Sequence, residues 1–384
     1  MGMRLGDSIR VTLFGESHGR CVGALVEGIP AGTEIDLQAL NEDIAKRKPG
    51  RKGLSRRTEL DECEILSGVH EGKATGWPIV LLTWNSDAKS KDYSFLPDQP
   101  RPGHADLPEM VRTDGAADLR GGGSQSARLT YGIVTAASQL RGILNQAGWR
   151  VDADLHSVGD LHAKPLFQLD RDTEPPEGSI MARLNCLDSE AADSFSNFIE
   201  EVRMDQDSVG SSVECIIEGL PIGVGEPWFD GLEPALARGM MAIPGARAVE
   251  FSRGVKASKM IGSEHNDAWY FDGDKPELEG SESAQADGAL GGRSTGAPIR
   301  VVIHFKPPSS ISREQSTLHL PSGEKRPLQV GGRHDPVLGP RAVPVVGAIA
   351  SLVVADLGMI GGFLNPCLLY TSPSPRDATL SRMP

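Results

Sequence analysis

Short runs of β-branched and other apolar residues, separated by turn-forming residues, are the clearest pattern along this chain. Runs of this length and composition are typical of β-strands. They predict strands at residues 9–14, 21–26, 78–84, 213–217, 248–251 and 299–305. The strands do not alternate regularly with helices, and no low-complexity linker divides the chain, which favours an α+β fold over regular βαβ winding.

Apolar residues also recur with helical spacing in three places. The first set has intervals of four and three residues, ends at the stop signal Gly148, and consists of Ile133, Ala137, Leu140, Leu144 and Ala147. In the second, Asp36 is the predicted N-cap of a helix that runs into basic residues, and its apolar face consists of Leu37, Leu40 and Ile44. The third, residues 343–357, is shorter than a bilayer crossing and predicts a buried helix.

A short sequence echo indicates an internal duplication. EGIPAG at 27–32 and EGLPIG at 218–223 each follow a predicted strand and precede a predicted helix. Each helix ends near a Pro-Gly pair, at 49–50 and at 244–245. The alternative is that EGxPxG is simply a good turn sequence, in which case the echo is a coincidence.

Composition limits the classes of function. A chain of 384 residues with 39% hydrophobic content can bury one sizeable core or two modest ones, so a globular protein is expected. The net charge is -13 and aromatic residues make up 5%, which argues against a nucleic-acid partner because phosphate backbones need a broad basic face. Five cysteines without a CxxC pair, and no charged-then-apolar leader, predict a reduced, cytoplasmic setting without membrane attachment.

Positive charge is concentrated locally against this acidic background. Seven of the twelve residues at 46–57 are cationic, and none is acidic. Three further islands combine Arg or His with Gly: FGESHG at 14–19, RPGHAD at 101–106 and GGRHDP at 331–336. Each island alone has a structural explanation, as a helix C-terminus, a solvated loop or an ordinary ion pair. Their shared sign predicts a pocket for a small, multiply charged anion, because charge-assisted hydrogen bonds contribute about 1.5–3 kcal/mol each.

Two of the islands place a histidine at a glycine-containing turn. GESHG matches the GxSxG nucleophile elbow of α/β hydrolases, with Ser17 as the nucleophile, but an elbow joins a strand to a helix and this segment lies between two predicted strands. We therefore favour a Gly-flanked turn that presents Ser17 and His18 to an anion, with His18 available as an acid. In RPGHAD, Asp106 is predicted to orient the imidazole of His104.

A glycine-rich segment, RGGGSQSAR at 120–128, is a candidate anion site. Its three glycines can form a concavity of backbone N–H groups, and Ser124 or Ser126 is the predicted cap of the following helix. Arg128 in the first helical turn is unfavourable for the helix dipole unless an anion binds there. The sequence has no HExxH, Cys/His cluster, Walker lysine or dinucleotide fingerprint, so no metal is predicted and any phosphate belongs to a substrate or a mononucleotide.

Taken in order, these islands resemble the successive signature stretches of the chorismate synthase family. The matching stretches lie between residues 6 and 357 and are FGESHGRCVGALVEGIPAG, KRKPGR, ILSGVHEGKATGWPI, RPGHAD, LRGGG followed by SAR, GGRSTGAP, FKPPSSI and GGRHDPVLGPRAVPVVGA. The resemblance implies a lyase of the shikimate pathway for aromatic amino acids. Such an enzyme removes phosphate and a ring hydrogen from 5-enolpyruvylshikimate 3-phosphate, by anti 1,4-elimination, to give chorismate. The two carboxylates and one phosphate of that substrate suit several separated cationic islands.

The resemblance also implies a cofactor and an assembly. Members of the family need reduced FMN (FMNH2), and NADPH is the candidate reductant of the flavin; because no nicotinamide domain is visible, an outside reductase is favoured. The implied fold is a three-layer β-α-β sandwich with helices between antiparallel sheets, assembled as a homotetramer. One catalytic domain would span residues 1–366. Residues 367–384 are rich in Ser, Pro and Arg, do not resemble the family's closing helix, and predict a non-native or disordered tail.

Individual residues receive roles through the same resemblance. His18 would be the acid near the leaving phosphate, His104 would protonate or hydrogen-bond the flavin, and Asp335 would be the carboxylate near flavin N5. The implied substrate-binding residues are Ser17, Lys48, Arg51, Arg56, Arg57, Arg101, Ser126, Ala127, Arg128 and Arg333. The implied flavin-binding residues are Arg47, Lys52, Ser124, Gln125, Ser126, Pro244, Gly245, Gly291, Lys306, Pro307, Pro308, Ser309, Ser310 and Arg333.

Departures from the family's pattern leave a second functional interpretation open. Where the family usually reads RSSARET, this chain has Ser124 in place of an arginine and Leu129 in place of an acid. Pro-Gly at 244–245 replaces Asn-Ala, and Ala-Gln at 284–285 replaces a pair of asparagines. These changes predict weakened flavin binding, and the alternative function is an anion- and flavin-binding homologue with impaired catalysis.

Overall fold

The computed structural model describes residues 2–48, 61–86, 93–281, 284–332 and 334–364. Within these ranges the strands are β1 (Arg4–Leu5), β2 (Arg10–Gly15), β3 (Cys21–Glu27), β4 (Glu64–Ser67), β5 (Val69–His70), β6 (Lys73–Ala74), β7 (Ile79–Trp84), β8 (Arg150–Val158), β9 (Leu161–His162), β10 (Ser211–Glu218), β11 (Ala246–Phe251), β12 (Trp269–Asp272), β13 (Lys275–Leu278), β14 (Ala289–Leu290), β15 (Arg293–Ser294), β16 (Ile299–Phe305), β17 (Gln315–His319) and β18 (Glu324–Leu328). The α-helices are α1 (Leu37–Arg47), α2 (Asp106–Arg112), α3 (Thr130–Ser138), α4 (Arg141–Gln146), α5 (Ile180–Leu184), α6 (Ser189–Met204), α7 (Leu232–Met241), α8 (Gly262–His265) and α9 (Gly339–Ile360).

Two five-stranded antiparallel sheets form the outer layers. Their strand orders are β1-β2-β3-β7-β4 and β11-β16-β10-β8-β9. In the first sheet Val26 lies opposite Ile79, and in the second Ile217 lies opposite Ile299. These four side chains are fully or almost fully buried, so the inner face of each sheet is apolar. Because one face of each sheet must be covered, the fold needs a layer between them.

Helices α1, α3, α7 and α9 provide that layer. Helix α3 packs on β2, β3 and β7 of the first sheet, whereas α9 packs on β8 and β10 of the second. The two helices also pack against each other, and α1 and α7 contact α9. One hydrophobic core cluster includes residues of both sheets and of both central helices. The predicted α+β class and the three-layer sandwich are confirmed, whereas the boundary at residue 366 stays a prediction because residues 365–384 lie outside the described ranges.

Helix α9 is the longest helix of the central layer, and most of it is buried. Among the described residues it is long and apolar enough to cross a membrane. However, 72% of its most apolar 18-residue stretch is buried inside the protein. The prediction of a buried helix is confirmed, although its length was underestimated from the apolar run alone. Asp356 on this helix accepts hydrogen bonds from the backbone N–H groups of Asp7 (3.0 Å), Ser8 (2.6 Å) and Ile9 (2.8 Å). The helix therefore also anchors the segment that leads into β2.

The two halves of the chain repeat one topology. The order β2-β3-β7-β4 in the first sheet matches β8-β10-β16-β11 in the second. Helices α1 and α7 follow β3 and β10, and α3 and α9 follow β7 and β16. Gly28 and Gly219, which occupy the same position in the two EGxPxG stretches, both have positive φ, at 90° and 80°. The internal duplication is confirmed, and the EGxPxG echo marks equivalent strand ends.

Most predicted elements are present, and the structure adds several that were not predicted. All six predicted strands occur within two residues of their predicted bounds. Strand β8 and helix α6 were not predicted. The single helix expected over 133–147 is two helices, α3 and α4, because Gln139 and Leu140 bond the carbonyls three residues earlier. Thr135 Oγ1 accompanies this break by donating to the Tyr131 carbonyl, a back-bond that bends helices.

Helix α1 begins at the predicted N-cap. The Asp36 carboxylate accepts a hydrogen bond of 2.9 Å from the backbone N–H of Ala39. We expect Asp36→Ala to lower the free energy of unfolding by about 1 kcal/mol, because a backbone donor loses its partner. Asp36→Asn retains an acceptor and should cost only a few tenths of a kcal/mol. Urea denaturation of both variants checks this, and equal losses would contradict a capping role.

Candidate active site

The Ser17-His18 turn connects β2 to β3, so it lies between two strands. The hydrolase-elbow interpretation is therefore wrong. The backbone N–H of Ser17 donates to the Gly123 carbonyl at 3.1 Å, which packs the turn against the glycine-rich segment. Gly121 has φ of 60°, and a Cβ there would lie 2.6 Å from both Ser17 Oγ and His18 Nδ1. Glycine at 121 is thus required both by its backbone conformation and by the close approach of the histidine.

The glycine-rich segment leads directly into α3. Gly121, Gly122 and Gly123 all have positive φ within the 3₁₀ segment Arg120–Gln125. Ser126 Oγ accepts a hydrogen bond of 3.2 Å from the Arg128 N–H and caps the short 3₁₀ turn Ala127–Leu129. Of the two predicted caps, Ser126 is therefore the one that acts. This arrangement brings Arg128 to the same side of the molecule as the Ser17-His18 turn.

Tyr93 links that turn to the RPGHAD segment. Its ring centroid lies 5.0 Å from that of His18 in an edge-to-face arrangement with an interplanar angle of 82°. The guanidinium carbon of Arg101 lies 5.4 Å from the centroid of the Tyr93 ring. Arg101 is held by a buried bidentate ion pair, in which Nε and Nη2 donate to Asp106 at 2.8 and 2.7 Å. The prediction that Asp106 orients His104 is wrong, because both carboxylate oxygens bind Arg101.

His104 is oriented instead by its neighbours on both ring nitrogens. Nδ1 lies 2.9 Å from the Pro102 carbonyl, and Nε2 lies 2.8 Å from Ser310 Oγ. The carbonyl can only accept, so Nδ1 carries a proton and Nε2 faces the serine hydroxyl. Burial, and then the positive charge of Arg101, lower the pKa of His104 from its usual value of 6.5 to about 4. The imidazole is neutral at pH 7 in the unliganded protein.

This depressed pKa predicts a pH-dependent stability. The folded state binds the His104 proton more weakly than the unfolded state, so stability is lost as pH falls from 6.5 towards 4. Relative to His104→Asn, which cannot protonate, the wild type should lose about 2 kcal/mol more between pH 7 and pH 4.5. Urea denaturation of both proteins at the two pH values measures this difference. An identical loss in both proteins would contradict the low pKa.

Lys306 joins three stretches that the sequence assigned to the flavin. Its Nζ donates to the Gly103 carbonyl and to Ser309 Oγ, each at 2.7 Å. Its backbone N–H donates to the Gly245 carbonyl at 2.9 Å. The segments 101–106, 244–245 and 306–310 are therefore neighbours. Burial lowers the pKa of the Lys306 ammonium, an effect that the positive charge of Arg247 reinforces.

Asp335 lies in a segment that residues 208–209 connect to 306–310, since Ser208 Oγ donates to the Pro308 carbonyl at 2.7 Å. One carboxylate oxygen accepts a hydrogen bond of 2.6 Å from Arg341, while the other, Oδ1, is buried and has no hydrogen-bond partner among the described residues. Arg341 also donates to the backbone carbonyl of Arg47 at 3.3 Å. Pro336, next to Asp335, accepts from the Val209 N–H at 2.9 Å. Arg341 thus links Asp335 to the end of helix α1.

Asp61 holds two arginines that the sequence assigned to different ligands. Arg47 Nη2 donates to one carboxylate oxygen at 3.0 Å, and Arg128 Nη1 donates to the other. The side chains of Arg47, Arg128 and Asp61 are 1%, 6% and 0% exposed, respectively. Burial opposes the charge on Asp61, but the two guanidiniums outweigh it and hold the pKa of the carboxyl below its usual value. Both guanidiniums also lie 5.8 Å from the ring centroid of Tyr131.

These contacts form one contiguous cluster, which we call the polar cluster. It includes the Ser17-His18 turn, the segments 101–106 and 306–310, and the residues Arg47, Asp61, Asn85, Tyr93, Arg128, Asp335 and Arg341. Sequence reasoning missed Asp61, Asn85, Tyr93 and Arg341. Asp61 follows the basic block among several acids, with Glu59 before it and Glu62 after it, so the sequence does not single it out. Asn85, Tyr93 and Arg341 are single residues, and no motif spacing in the sequence identifies them as site residues.

Several predicted site residues lie elsewhere or cannot be placed. Gly291 is at the tip of the β14–β15 hairpin, and the whole of β16 separates it from Lys306. Gln125 contacts Glu109 at 3.4 Å. Lys48 caps the end of α1, with its N–H donating to the Ile44 carbonyl at 3.0 Å. The predicted residues outside the described ranges are Arg51, Lys52, Arg56, Arg57 and Arg333.

Comparison with known proteins gives a consistent result. A family model described as chorismate synthase matches residues 9–359. Curated relatives named chorismate synthase include one from Methanosarcina mazei, 40% identical over 367 residues, which covers 95% of this chain and 98% of the relative. Another, from Aeropyrum pernix, is 42% identical over 372 residues and covers 94% of each chain. A solved structure described as the crystal structure of chorismate synthase aligns with a TM-score of 0.69 at 24% identity, covering 93% of each chain.

Proposed function

The chain belongs to the chorismate synthase family, and we propose that it converts 5-enolpyruvylshikimate 3-phosphate to chorismate by anti 1,4-elimination of phosphate. Enzymes of this family are carbon–oxygen lyases of aromatic biosynthesis that act on a small-molecule substrate. In the proposed reaction one C–O bond to phosphate and one ring C–H bond break, a C=C bond forms, and a proton and phosphate leave. No net oxidation or reduction occurs.

The convergence of cationic and imidazole groups in the polar cluster is the observation that carries this proposal. Arg101 and Arg128 are fixed by buried carboxylates, so they present charge in defined positions. His18 lies between Gly121 and Tyr93, beside Ser17. We assign to His18 the proton that neutralises the leaving phosphate, because a positioned imidazole can act as a general acid near neutral pH. Cations placed where negative charge develops stabilise the transition state.

The residues around Lys306 fit the phosphate and ring atoms of a flavin mononucleotide. Lys306 and the hydroxyls of Ser309 and Ser310 supply donors, and the buried Asp335 Oδ1 supplies an acceptor that has no partner within the described part of the chain. A flavin is the cofactor that this family uses, and we propose that the reduced form of FMN is required. Reduced FMN, when bound, would supply electron density transiently to the departing phosphate. In this proposal Asp335 accepts a hydrogen bond from a flavin N–H and assists loss of the ring proton of the substrate.

His104 has two predicted roles, protonating the flavin or hydrogen-bonding it, and its low pKa favours the second. A neutral imidazole can donate or accept a hydrogen bond but cannot act as a strong acid at pH 7. We therefore propose that His104 hydrogen-bonds the flavin. An anionic group bound beside it would raise its pKa and allow proton transfer, so the two roles are separated by the charge of the bound ligand.

Three further features are proposed from the family resemblance. The enzyme acts in the cytoplasm, assembles as a homotetramer, and depends on an outside reductase, with NADPH as the electron donor, to reduce its flavin. Mass photometry of the purified protein tests the tetramer. Incubation with oxidised FMN and NADPH, with and without an added flavin reductase, tests the reductase dependence.

An anaerobic assay of phosphate release from 5-enolpyruvylshikimate 3-phosphate tests the main proposal. Release should require reduced FMN and should be absent with oxidised FMN alone. Binding of substrate and flavin without turnover would instead support the alternative, an impaired anion- and flavin-binding homologue. Of the departures that raise this alternative, Leu129 has a structural explanation, since it is buried in a small core cluster with Leu40 and Tyr131.

A further inference from the structure

Asn85, at the end of β7, binds the histidine turn and Arg128 at the same time. Its side-chain Nδ2 donates to the carbonyls of Glu16 and Gly19, each at 3.0 Å. Its Oδ1 accepts a hydrogen bond of 3.1 Å from Arg128 Nε. Its backbone N–H donates to the Arg20 carbonyl at 3.0 Å. The carboxamide therefore uses both N–H donors on the turn and its oxygen on the guanidinium.

The orientation of this amide is fixed by its partners. Both backbone carbonyls can only accept, and the guanidinium can only donate. Turning the amide by 180° would place its oxygen against two carbonyls and its NH2 group against a cation, which would lose three hydrogen bonds. The partners also lie far away in the sequence, with separations of 43 to 69 residues. An asparagine that only formed a local turn would bond its own neighbours instead.

The two carbonyls bracket the reactive part of the turn. Glu16 and Gly19 lie on either side of Ser17 and His18, and the Gly19 N–H closes the turn by donating to Glu16 O at 3.1 Å. Gly121 also lies close to His18, and the Tyr93 ring is edge-to-face with the imidazole. Asn85 thus fixes the backbone of this turn from the end of β7. Displacing a reacting group by 1 Å can cost about 100-fold in rate.

We propose that Asn85 is a positioning residue for the elimination, which fixes the Ser17-His18 turn and orients Arg128 relative to it. This inference rests on the proposed function, in which His18 is the acid. Asn85 is assigned no contact with the reacting atoms. It acts through the backbone that carries His18 and through the guanidinium that binds the anion.

Two substitutions separate the contact with the turn from the contact with Arg128. Asn85→Asp keeps the size of the side chain and an oxygen for Arg128 Nε, but it has no N–H for the two carbonyls. Asn85→Ala removes both contacts. If the turn must be held, both variants should lower kcat about 10- to 100-fold. Asn85→Asp also places a carboxylate beside Arg128, so its substrate KM should rise, whereas the uncharged Asn85→Ala should change KM less.

Ser86→Ala, at the exposed neighbouring position, is the matched control and should keep the wild-type kcat. Amide hydrogen exchange of the peptide that covers residues 15–21, measured by mass spectrometry without ligands, gives a readout independent of turnover. Exchange should be faster in both Asn85 variants and unchanged in the control. Faster exchange at this peptide, with the rest of the protein unchanged, supports a local effect on the turn.

Several outcomes would overturn the inference. Wild-type kcat in Asn85→Asp would show that the turn needs no support from the amide. A lowered kcat in both variants that is fully explained by a smaller folded fraction, measured by circular dichroism, would reduce Asn85 to a stabilising residue. Unchanged exchange at residues 15–21 would also contradict it. If the wild type itself releases no phosphate with reduced FMN, the proposed function fails, and the exchange measurement still decides whether Asn85 holds the turn.

Discussion

Replacing His18 with alanine is expected to lower kcat by about 10²- to 10⁴-fold, because that is the range that a positioned acid or base contributes. The expectation follows from the position of the imidazole. It lies in a half-buried turn, in contact with Tyr93 and against Gly121, whose missing side chain leaves room for it. Steady-state phosphate release with saturating reduced FMN measures the effect.

The way in which the kinetic constants change should also be informative. Arg101 and Arg128 keep their carboxylate partners when His18 is truncated, so the substrate KM should change much less than kcat. His70→Ala is a suitable control, because its side chain is 80% exposed in the β5–β6 hairpin. That control should retain wild-type turnover. Full turnover in His18→Ala would remove His18 from the mechanism, whatever the rest of the polar cluster does.

Asp61→Asn is expected to lower the free energy of unfolding by about 3–5 kcal/mol, the usual cost of breaking a buried ion pair from one side. The substitution keeps the shape of the side chain but leaves Arg47 and Arg128 without their shared carboxylate. Both guanidiniums are almost fully buried, so water cannot replace the lost partner. Urea denaturation at pH 7 measures the change.

A surface pair provides the control for Asp61. Glu200 binds Arg203 on helix α6, where the two side chains are 49% and 36% exposed, so Glu200→Gln should cost less than about 1 kcal/mol. The Asp61 effect should also depend on pH. Because the pKa of Asp61 is lowered, its contribution is complete above 3.8 and is lost as pH falls further. Equal effects of the two substitutions at pH 7 would show that the buried triad adds nothing.

The strands were predictable because the side chains on their buried faces are apolar. Val22, Ala24 and Val26 on β3, and Val301 and Ile303 on β16, are fully or almost fully buried, and their runs are continuous in the sequence. Strand β8 was missed although it lies inside the second sheet, between β10 and β9. Its polar face carries Asp152 and Asp154, a residue type that is depleted in strands. Asp154 is nevertheless buried, with the Leu187 N–H bonded to its carboxylate at 3.0 Å.

A second pair of similar stretches in the sequence also marks the duplication. Residues 68–79 read GVHEGKATGWPI and residues 288–299 read GALGGRSTGAPI, which share the pattern GxxxGxxTGxPI. The structure explains the first glycine of each. A Cβ at Gly68 or Gly288 would lie 2.6 Å from the carbonyl oxygen of Pro78 or Pro298, respectively. In both halves a glycine therefore packs closely against the backbone just before β7 and β16.

The site was predictable where several polar residues are adjacent in sequence. The islands that contain His18, His104, Arg128 and Asp335 could be found because glycine, arginine and histidine cluster within six to nine residues. Partners across the fold could not be found in this way. Asp106 illustrates the limit, since it is close to His104 in sequence but binds Arg101, whose guanidinium offers two parallel donors. Asp61 and Asn85 depend on partners that only the tertiary fold supplies.

Helix α9 has a consequence for how the protein is made in the cell. It covers the inner face of the second sheet, packs on α3, and anchors residues 7–9 through Asp356, yet it is formed by residues 339–360. At ribosomal speeds of about 5–20 residues per second, tens of seconds pass before this helix emerges. Until then the nascent polypeptide carries a long amino-terminal portion whose apolar sheet face has no cover. The core can therefore close only after residues 339–360 have left the ribosome, and until then the uncovered apolar face is exposed to aggregation.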